Sequence, residues 1–183
     1  MTTILITGGA RSGRSRFARE LAQTLGQPVL FVATAEAGDD EMRQRIEEHR
    51  RARPTAWHTL EATTQIGHHI LQQIGGAQVV IIDCLTLLVS NVLGQFIDPT
   101  GNNIDDSLAE KAVTREINEL IDCLNRVAAS FIIVTNEVGM GLVPVNRVGR
   151  TYRDLLGKAN QRLAERADEV YLMVSGLPVR VKP

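Results

Sequence analysis

The stretch that decides the fold of this chain is Gly8-Gly9-Ala10-Arg11-Ser12-Gly13-Arg14-Ser15. It follows residues 2–7, a β-branched and apolar run that predicts a buried strand, and it precedes residues 16–22, where apolar residues recur at helical spacing. A glycine-rich loop between a strand and a helix is the setting in which backbone N–H groups surround phosphate oxygens. An ordinary glycine-rich turn is the alternative, but the strand, the helix and the closing Ser15 favour a phosphate-binding loop.

The cation of this loop departs from the usual phosphate-binding pattern. That pattern is Gly, four residues, Gly, Lys, then Ser or Thr, and this chain has Arg14 where Lys is expected. Lys is a compact point charge, whereas the Arg guanidinium is a longer planar fork. We therefore expect the backbone contacts to be kept and Ser15 to hold Mg²⁺, while the geometry of the cation's phosphate contact stays open.

Composition places the chain among ordinary globular proteins. Its 183 residues suit one domain, assigned here to residues 1–183, and 44% of them are hydrophobic. Lys and Arg number 20 and Asp and Glu 21, so the net charge of −1 gives no electrostatic case for nucleic acid or a membrane surface. No signal peptide is visible, and no apolar run is long enough for membrane insertion. Cys84 and Cys123 lack metal-ligand spacing, which favours a reduced cytoplasmic location.

Predicted strands and helices alternate along the whole chain. Strands are predicted at residues 2–7, 28–34, 57–61, 78–83, 130–136 and 169–174, with a last edge strand at 178–182. Helices are predicted at residues 16–22, 39–53, 64–74, 85–93, 107–129 and 150–166, and loops at 94–106 and 137–149. This alternation predicts an α/β fold with a mostly parallel sheet and helices on both faces. With the phosphate loop, it indicates a three-layer P-loop NTPase-like fold of the RecA-like type.

Polar residues end several of the predicted strands: Thr7, Thr34, Asp83 and Asn136. In open α/β sheets, ligands bind outside the carboxyl ends of the strands. Asp83 follows four apolar residues, as does the carboxylate that supports Mg²⁺ in phosphate-loop enzymes. The alternative is an Asp that caps the following helix. Because the chain also has the phosphate loop, we favour the metal role.

One predicted helix carries an unusual cluster. Ile46, His49 and Arg53 are spaced three and four residues apart and therefore share one face. A His on such a face is usually a packed core residue. Arg50 and Arg51 follow His49, and a cluster of this kind can hold phosphates beside an imidazole nucleophile. From spacing alone, a solvated basic helix is the more ordinary interpretation.

Longer motifs are more selective than the phosphate loop, which many unrelated enzymes share. They are residues 39–42, Arg45-Ile46, His49, Arg53-Pro54, Trp57, Thr59, Glu61, residues 134–144 (VTNEVGMGLVP), Arg153-Asp154, residues 160–164, residues 167–170 and residues 174–176. With these motifs, essentially the whole chain resembles the bifunctional adenosylcobinamide kinase/adenosylcobinamide-phosphate guanylyltransferases of cobalamin synthesis. The run at 134–144, taken together with the His49 helix, carries most of this resemblance.

The resemblance implies two reactions. Members of the family phosphorylate the aminopropanol hydroxyl of adenosylcobinamide with ATP or GTP. They then transfer GMP from GTP onto that phosphate through a GMP-histidine, releasing pyrophosphate and giving adenosylcobinamide-GDP. His49 matches the family's nucleophile by its spacing to Arg53-Pro54. The resemblance also implies a homotrimer with sites at subunit boundaries.

The resemblance further implies a set of ligand contacts. Nucleotide contacts are expected from Gly8, Gly9, Ala10, Arg11, Ser12, Gly13, Arg14, Ser15, Ala33, Thr34, Ala35, Arg50, Arg51, Ala52, Arg53, Glu61 and Asp83, and Mg²⁺ contacts from Ser15 and Asp83. Two other functions remain open. One is a stand-alone phosphate-loop kinase for another small substrate, which would not need His49. The other is a non-catalytic nucleotide-binding subunit, in which Arg14 marks lost chemistry.

Overall fold

The structure is a computed structural model that describes all 183 residues. Its strands are β1 (Thr3–Gly8), β2 (Val29–Ala33), β3 (His58–Glu61), β4 (Val79–Asp83), β5 (Ser130–Val134), β6 (Glu169–Val174) and β7 (Leu177–Lys182). Its helices are α1 (Arg14–Leu25), α2 (Asp40–Arg51), α3 (Ile66–Gln73), α4 (Leu85–Gly94), α5 (Asp106–Arg126) and α6 (Arg147–Arg166). All the predicted strands and helices are therefore present and in the predicted order.

All seven strands form one sheet in the order β3-β2-β4-β5-β1-β6-β7. The first six are parallel, and β7 pairs antiparallel with β6. A cluster of 31 buried residues lies between one face of the sheet and α3, α4, α5 and α6, while a cluster of 13 on the other face includes α1. The predicted α/β architecture with helices on both faces is confirmed.

Several predicted boundaries were wrong by a few residues. Helix α6 begins at Arg147 rather than at 150, because the Asn146 side chain accepts a hydrogen bond from the Gly149 N–H at 2.6 Å and caps the helix earlier. The predicted loop at 94–106 contains a short antiparallel bridge between Ile97 and Ile104. Capping and bridging depend on contacts that the apolar pattern does not report.

Helices α3 and α5 pack closely through a contact that has no local signature. Gln65 precedes α3 in a left-handed conformation and gives it no side-chain cap. Instead, the buried Glu116 of α5 accepts the N–H groups of Gln65 and Ile66 at 2.8 and 3.0 Å. A β-carbon at Gly67 would lie 2.6 Å from the Glu119 carbonyl oxygen, so only glycine permits this approach. The packed pair contributes Ile66, Ile70, Val113 and Leu120 to the larger buried cluster on one face of the sheet.

None of the six helices combines the length and the apolar character needed to cross a membrane.

Candidate active site

The phosphate loop connects β1 to α1 at the carboxyl edge of the sheet. Gly13 lies at the N-cap of α1 with a φ of 95°, a conformation that L side chains rarely adopt, and no side chain caps the helix. The buried Ser12 hydroxyl makes no hydrogen bond. The uncapped N–H groups and the free hydroxyl point to an anion as the missing partner.

The turn between β6 and β7 holds this loop from the side. The Gly176 N–H donates to the Ser12 carbonyl oxygen at 3.0 Å, and Arg16 donates through Nη2 to the Gly176 carbonyl oxygen at 3.3 Å. A β-carbon at Gly13 would lie 3.1 Å from the Gly176 Cα. The hairpin therefore restricts how the loop opens.

Arg14, the unusual cation of the loop, points across the sheet edge toward β5. Its Nη1 donates a hydrogen bond to the Thr135 carbonyl oxygen. Burial lowers the pKa of Arg14, and Cys84, Asp83 and Tyr152 partly oppose that shift. Arginine nevertheless remains protonated at neutral pH, so the loop keeps a positive charge that the negative charge of Asp83 favours.

Asp83 lies at the end of β4, and its side chain is only 10% exposed. Its Oδ2 lies 3.7 Å from Nδ1 of His49, which is too long for a hydrogen bond but within the range of a charge contact. Cys84, not Asp83, occupies the N-cap position of α4, and no side chain caps that helix. The alternative of Asp83 as a helix cap was therefore wrong.

His49 projects from α2, a helix that buries none of its residues. The His49 side chain is 48% exposed, so it is not the packed core residue that its spacing also allowed. Ile46, on the same face, is half-buried, and so is Arg53, which lies two residues beyond the end of α2 rather than on the helix as its spacing predicted. The imidazole thus combines solvent access with a carboxylate neighbour, as a nucleophile at a phosphate site requires.

Arg53 packs against the aromatic ring of Phe31, and the charge of Asp83 acts on its guanidinium. Its guanidinium carbon lies 3.9 Å from the centre of the Phe31 ring, and its buried Nε–H has no hydrogen-bond acceptor. Burial lowers the pKa of Arg53, while Asp83 and Glu61 oppose that shift. Arg53 therefore has one buried N–H group that no acceptor of the protein satisfies.

A polar cavity of about 430 Å³ opens beside the ends of β2 and β3. Its lining consists of Ala35, Glu36, Ala37, Glu61, Ala62, Thr63, Thr64 and His69. Ala35 and Glu61 were predicted as nucleotide contacts. The sequence did not predict that Thr63, Thr64 and His69 line the same cavity, because nothing in their local sequence distinguishes them from an ordinary helix start.

The other residues predicted to contact the nucleotide differ in their exposure to solvent. Thr34 is fully buried, and its hydroxyl both accepts from the Cys84 N–H at 2.8 Å and donates to the Cys84 carbonyl oxygen at 2.7 Å. Ala33 is buried in β2. Residues 50–52 are exposed at the end of α2. Thr34 therefore shapes the Asp83–Cys84 segment, and its hydroxyl is not free to bind a ligand.

A sequence profile of one protein family, described as cobinamide kinase / cobinamide phosphate guanyltransferase, matches residues 4–181. The chain belongs to this family.

Relatives within the cobinamide kinase/guanyltransferase family match over nearly their full length. A protein of Escherichia coli named bifunctional adenosylcobalamin biosynthesis protein CobU is 44% identical over 98% of this chain and 99% of its own. The CobU of Salmonella typhimurium is 43% identical over the same shares of the two chains. The bifunctional adenosylcobalamin biosynthesis protein CobP of Pseudomonas aeruginosa is 39% identical over 97% of this chain and 96% of its own.

The comparison with solved structures concerns only the fold of this chain. A crystal structure of the RadB recombinase superposes with a TM-score of 0.51, covering 93% of this chain and 73% of that one at 14% identity. This likeness confirms the RecA-like P-loop architecture of this family member.

The side chains at this edge of the sheet fit a magnesium ion that substrate phosphates also ligate. No group of three His, Cys, Asp or Glu side chains is placed to bind a metal by itself. Magnesium usually takes only one or two protein ligands together with water and substrate phosphates. Ser15, in the first turn of α1, and Asp83, at the end of β4, would supply that number, and the only ion pair of Asp83 is the long one with His49.

Neither cysteine offers a competing nucleophile. Burial raises the pKa of the Cys84 thiol to about 11, and burial raises that of Cys123 to about 11 as well. Both thiols are free and stay protonated at neutral pH. Of these side chains and His49, only the His49 imidazole is exposed next to Asp83.

Proposed function

We propose that this chain phosphorylates the aminopropanol hydroxyl of adenosylcobinamide and then transfers GMP from GTP to the product. Family membership supports both reactions. The observation that carries the proposal is that Nδ1 of His49 lies 3.7 Å from Oδ2 of Asp83, a carboxylate whose charge also acts on Arg14 of the phosphate loop. One nucleotide site thereby serves phosphoryl transfer and nucleotidyl transfer.

In the proposed kinase step, the chain positions the triphosphate of ATP or GTP and offsets its charge. The loop from Gly8 to Ser15 offers backbone N–H groups and the N-terminus of α1, and Arg14 adds a full positive charge. Mg²⁺, when bound through Ser15 and Asp83, would supply further charge neutralisation at the phosphates. The substrate hydroxyl oxygen attacks the γ-phosphorus, the bond from that phosphorus to its bridging oxygen breaks, and the nucleoside diphosphate leaves while the hydroxyl proton passes to solvent.

In the proposed guanylyl step, His49 works as a covalent carrier. Its Nδ1 faces Asp83, which leaves Nε2 to attack the α-phosphorus of GTP. A P–N bond forms, the bond between the α-phosphorus and its bridging oxygen breaks, and pyrophosphate leaves. An oxygen of the cobinamide phosphate then attacks the same phosphorus and breaks the P–N bond, which gives adenosylcobinamide-GDP and restores the imidazole.

A single incubation tests the two reactions together. Purified protein, GTP, Mg²⁺ and adenosylcobinamide are mixed, and corrinoid masses are followed by mass spectrometry. We expect the cobinamide phosphate first and the GDP-cobinamide later. If adenosylcobinamide phosphate forms and adenosylcobinamide-GDP does not, the result supports a stand-alone kinase. If the protein binds GTP and forms neither corrinoid product, the result supports a non-catalytic subunit.

Arg14→Lys is expected to keep or raise cobinamide kinase turnover. An ammonium group at this position is the charge that phosphate loops ordinarily present to the transferring phosphate. Initial rates with saturating nucleotide measure the effect, and Arg115→Lys on the exposed surface of α5 is the matched control. A loss of more than about tenfold would show a dedicated role for the guanidinium.

We propose that the chain forms a homotrimer as a single domain in a reduced cytoplasm. Two exposed apolar surfaces support the assembly. One is the loop containing Met140, Leu142, Val143 and Val145, and the other is β7 with Leu177, Val179 and Val181. The two free cysteines support the location.

Multi-angle light scattering is expected to report three times the 20.1 kDa mass of one chain. The physical reason is that Leu142 and Val145, 96% and 98% exposed, are stabilised by burial against another subunit. Leu142→Glu should shift the distribution toward monomers. A wild-type protein that stays at 20.1 kDa at working concentration would contradict the trimer.

A further inference from the structure

Residues 135–137, which follow β5, are held by neighbouring backbone and side-chain groups. The Thr135 N–H donates to the Ile6 carbonyl oxygen at 2.9 Å, and the Glu137 N–H donates to the Gly8 carbonyl oxygen at 3.0 Å. The Asn136 N–H donates to the Thr86 hydroxyl of α4 at 2.8 Å. This segment is therefore fixed against both β1 and α4.

The side chain of Asn160, on α6, fixes the same segment from a third direction. Its Nδ2 donates to the Asn136 carbonyl oxygen at 3.0 Å, and its Oδ1 accepts from the Thr135 hydroxyl at 2.7 Å. Thr135 is fully buried. Both ends of one amide thus hold two consecutive residues, and they restrain the chain on either side of the peptide that joins Thr135 to Asn136.

The group that this arrangement presents to the nucleotide site is the Thr135 carbonyl oxygen, which accepts from Arg14. Tyr152 strengthens the arrangement, because its hydroxyl donates to the Thr86 carbonyl oxygen at 3.3 Å. Arginine carries five donors in a rigid fork, so an acceptor on one of them orients the rest. A lysine has no such fork to orient.

We infer that Asn160 is a positioning residue for the kinase reaction, acting through Thr135 to orient the Arg14 guanidinium toward the transferring phosphate. The inference rests on the proposed function. It explains how an arginine works where phosphate loops ordinarily place a lysine. Asn160 lies 25 positions from Thr135, and Thr135 lies 121 positions from Arg14 in the sequence.

A double-mutant cycle tests the inference. Asn160→Ala is prepared in the wild-type protein and in the Arg14→Lys variant. The matched control is Gln161→Ala, because Gln161 is an exposed neighbour of Asn160 on α6. With Arg14 present, Asn160→Ala is expected to lower the kinase kcat about tenfold, equivalent to about 1.4 kcal/mol, with little change in the nucleotide KM. With Lys at position 14, the same substitution is expected to lower kcat by less than about twofold.

Equal losses in the two backgrounds would overturn the inference, because a merely structural role of Asn160 does not depend on the residue at position 14. Thermal unfolding of each variant separates loss of fold from loss of orientation. If Asn160→Ala does not fold, Asn160→Asp keeps the acceptor for Thr135 and loses the donor to Asn136. The same dependence on Arg14 is then expected, and its absence overturns the inference.

The inference and the proposed function fail in different ways. Wild-type protein that never phosphorylates adenosylcobinamide contradicts the proposed function. In that case, the same cycle is measured by calorimetry with a GTP analogue whose α,β-bridge cannot be cleaved. With Arg14 present, Asn160→Ala is expected to weaken binding of the analogue severalfold, and with Lys at position 14 it is expected to leave that binding unchanged. Equal weakening in both backgrounds overturns the positioning role.

Discussion

GTP and Mg²⁺, without any corrinoid, are expected to leave one GMP on His49. The physical reason is that His49 is the one nucleophile of the site that is half-exposed, while both thiols remain protonated. The P–N bond should be labile in acid and stable in base, as a phosphoramidate is. Intact-protein mass spectrometry followed by peptide mapping measures the adduct.

His49→Asn is expected to abolish this adduct and to lower guanylyl transfer at least about a thousandfold. The kinase reaction should persist within about threefold, because the phosphate loop does not need an imidazole to position the substrate hydroxyl. His68→Asn, on the exposed side of α3, is the matched control. The free energy of unfolding should change little, since α2 buries none of its residues.

Two results would count against the His49 assignment. A wild-type protein that makes adenosylcobinamide-GDP and never carries label at His49 would show direct attack by the cobinamide phosphate on GTP. A His49→Asn variant that loses both reactions together with its stability would show a packing role.

Asp83→Asn is expected to lower both reactions, each by about a hundredfold or more. Its carboxylate lies 3.7 Å from His49, its charge acts on Arg14 and Arg53, and we propose it as the protein carboxylate that supports Mg²⁺. The amide keeps the size of the side chain and removes the charge. Rates measured against Mg²⁺ concentration should show a higher requirement for the ion.

Stability separates this role from a structural one. Because Asp83 caps no helix, we expect the free energy of unfolding to change by about 1 kcal/mol or less. Asp122→Asn, exposed on α5, is the matched control. An Asp83→Asn protein that unfolds readily, but whose folded fraction has normal rates and a normal Mg²⁺ requirement, would contradict the metal role.

Local patterns in the sequence were enough to predict the fold. The β-branched runs, the helical spacing and the Gly8–Ser15 loop are each read over a few neighbouring residues, and the structure confirms the strands, the helices and the parallel sheet. The ends of the helices were less predictable. The start of α6 depends on one side-chain contact of Asn146, and α3 is capped by Glu116 from another helix.

The candidate site was predictable in its residue types but not in its contacts. Sequence alone determined that this chain has a phosphate loop with an arginine, a carboxylate after a buried strand, and a histidine followed by arginines. Only the tertiary structure decided that His49 faces Asp83, that the Thr34 hydroxyl is occupied by Cys84, and that Arg14 contacts Thr135. The physical reason is that strand order and helix packing bring together residues far apart in the chain, and periodicity over neighbouring residues carries no record of those distances.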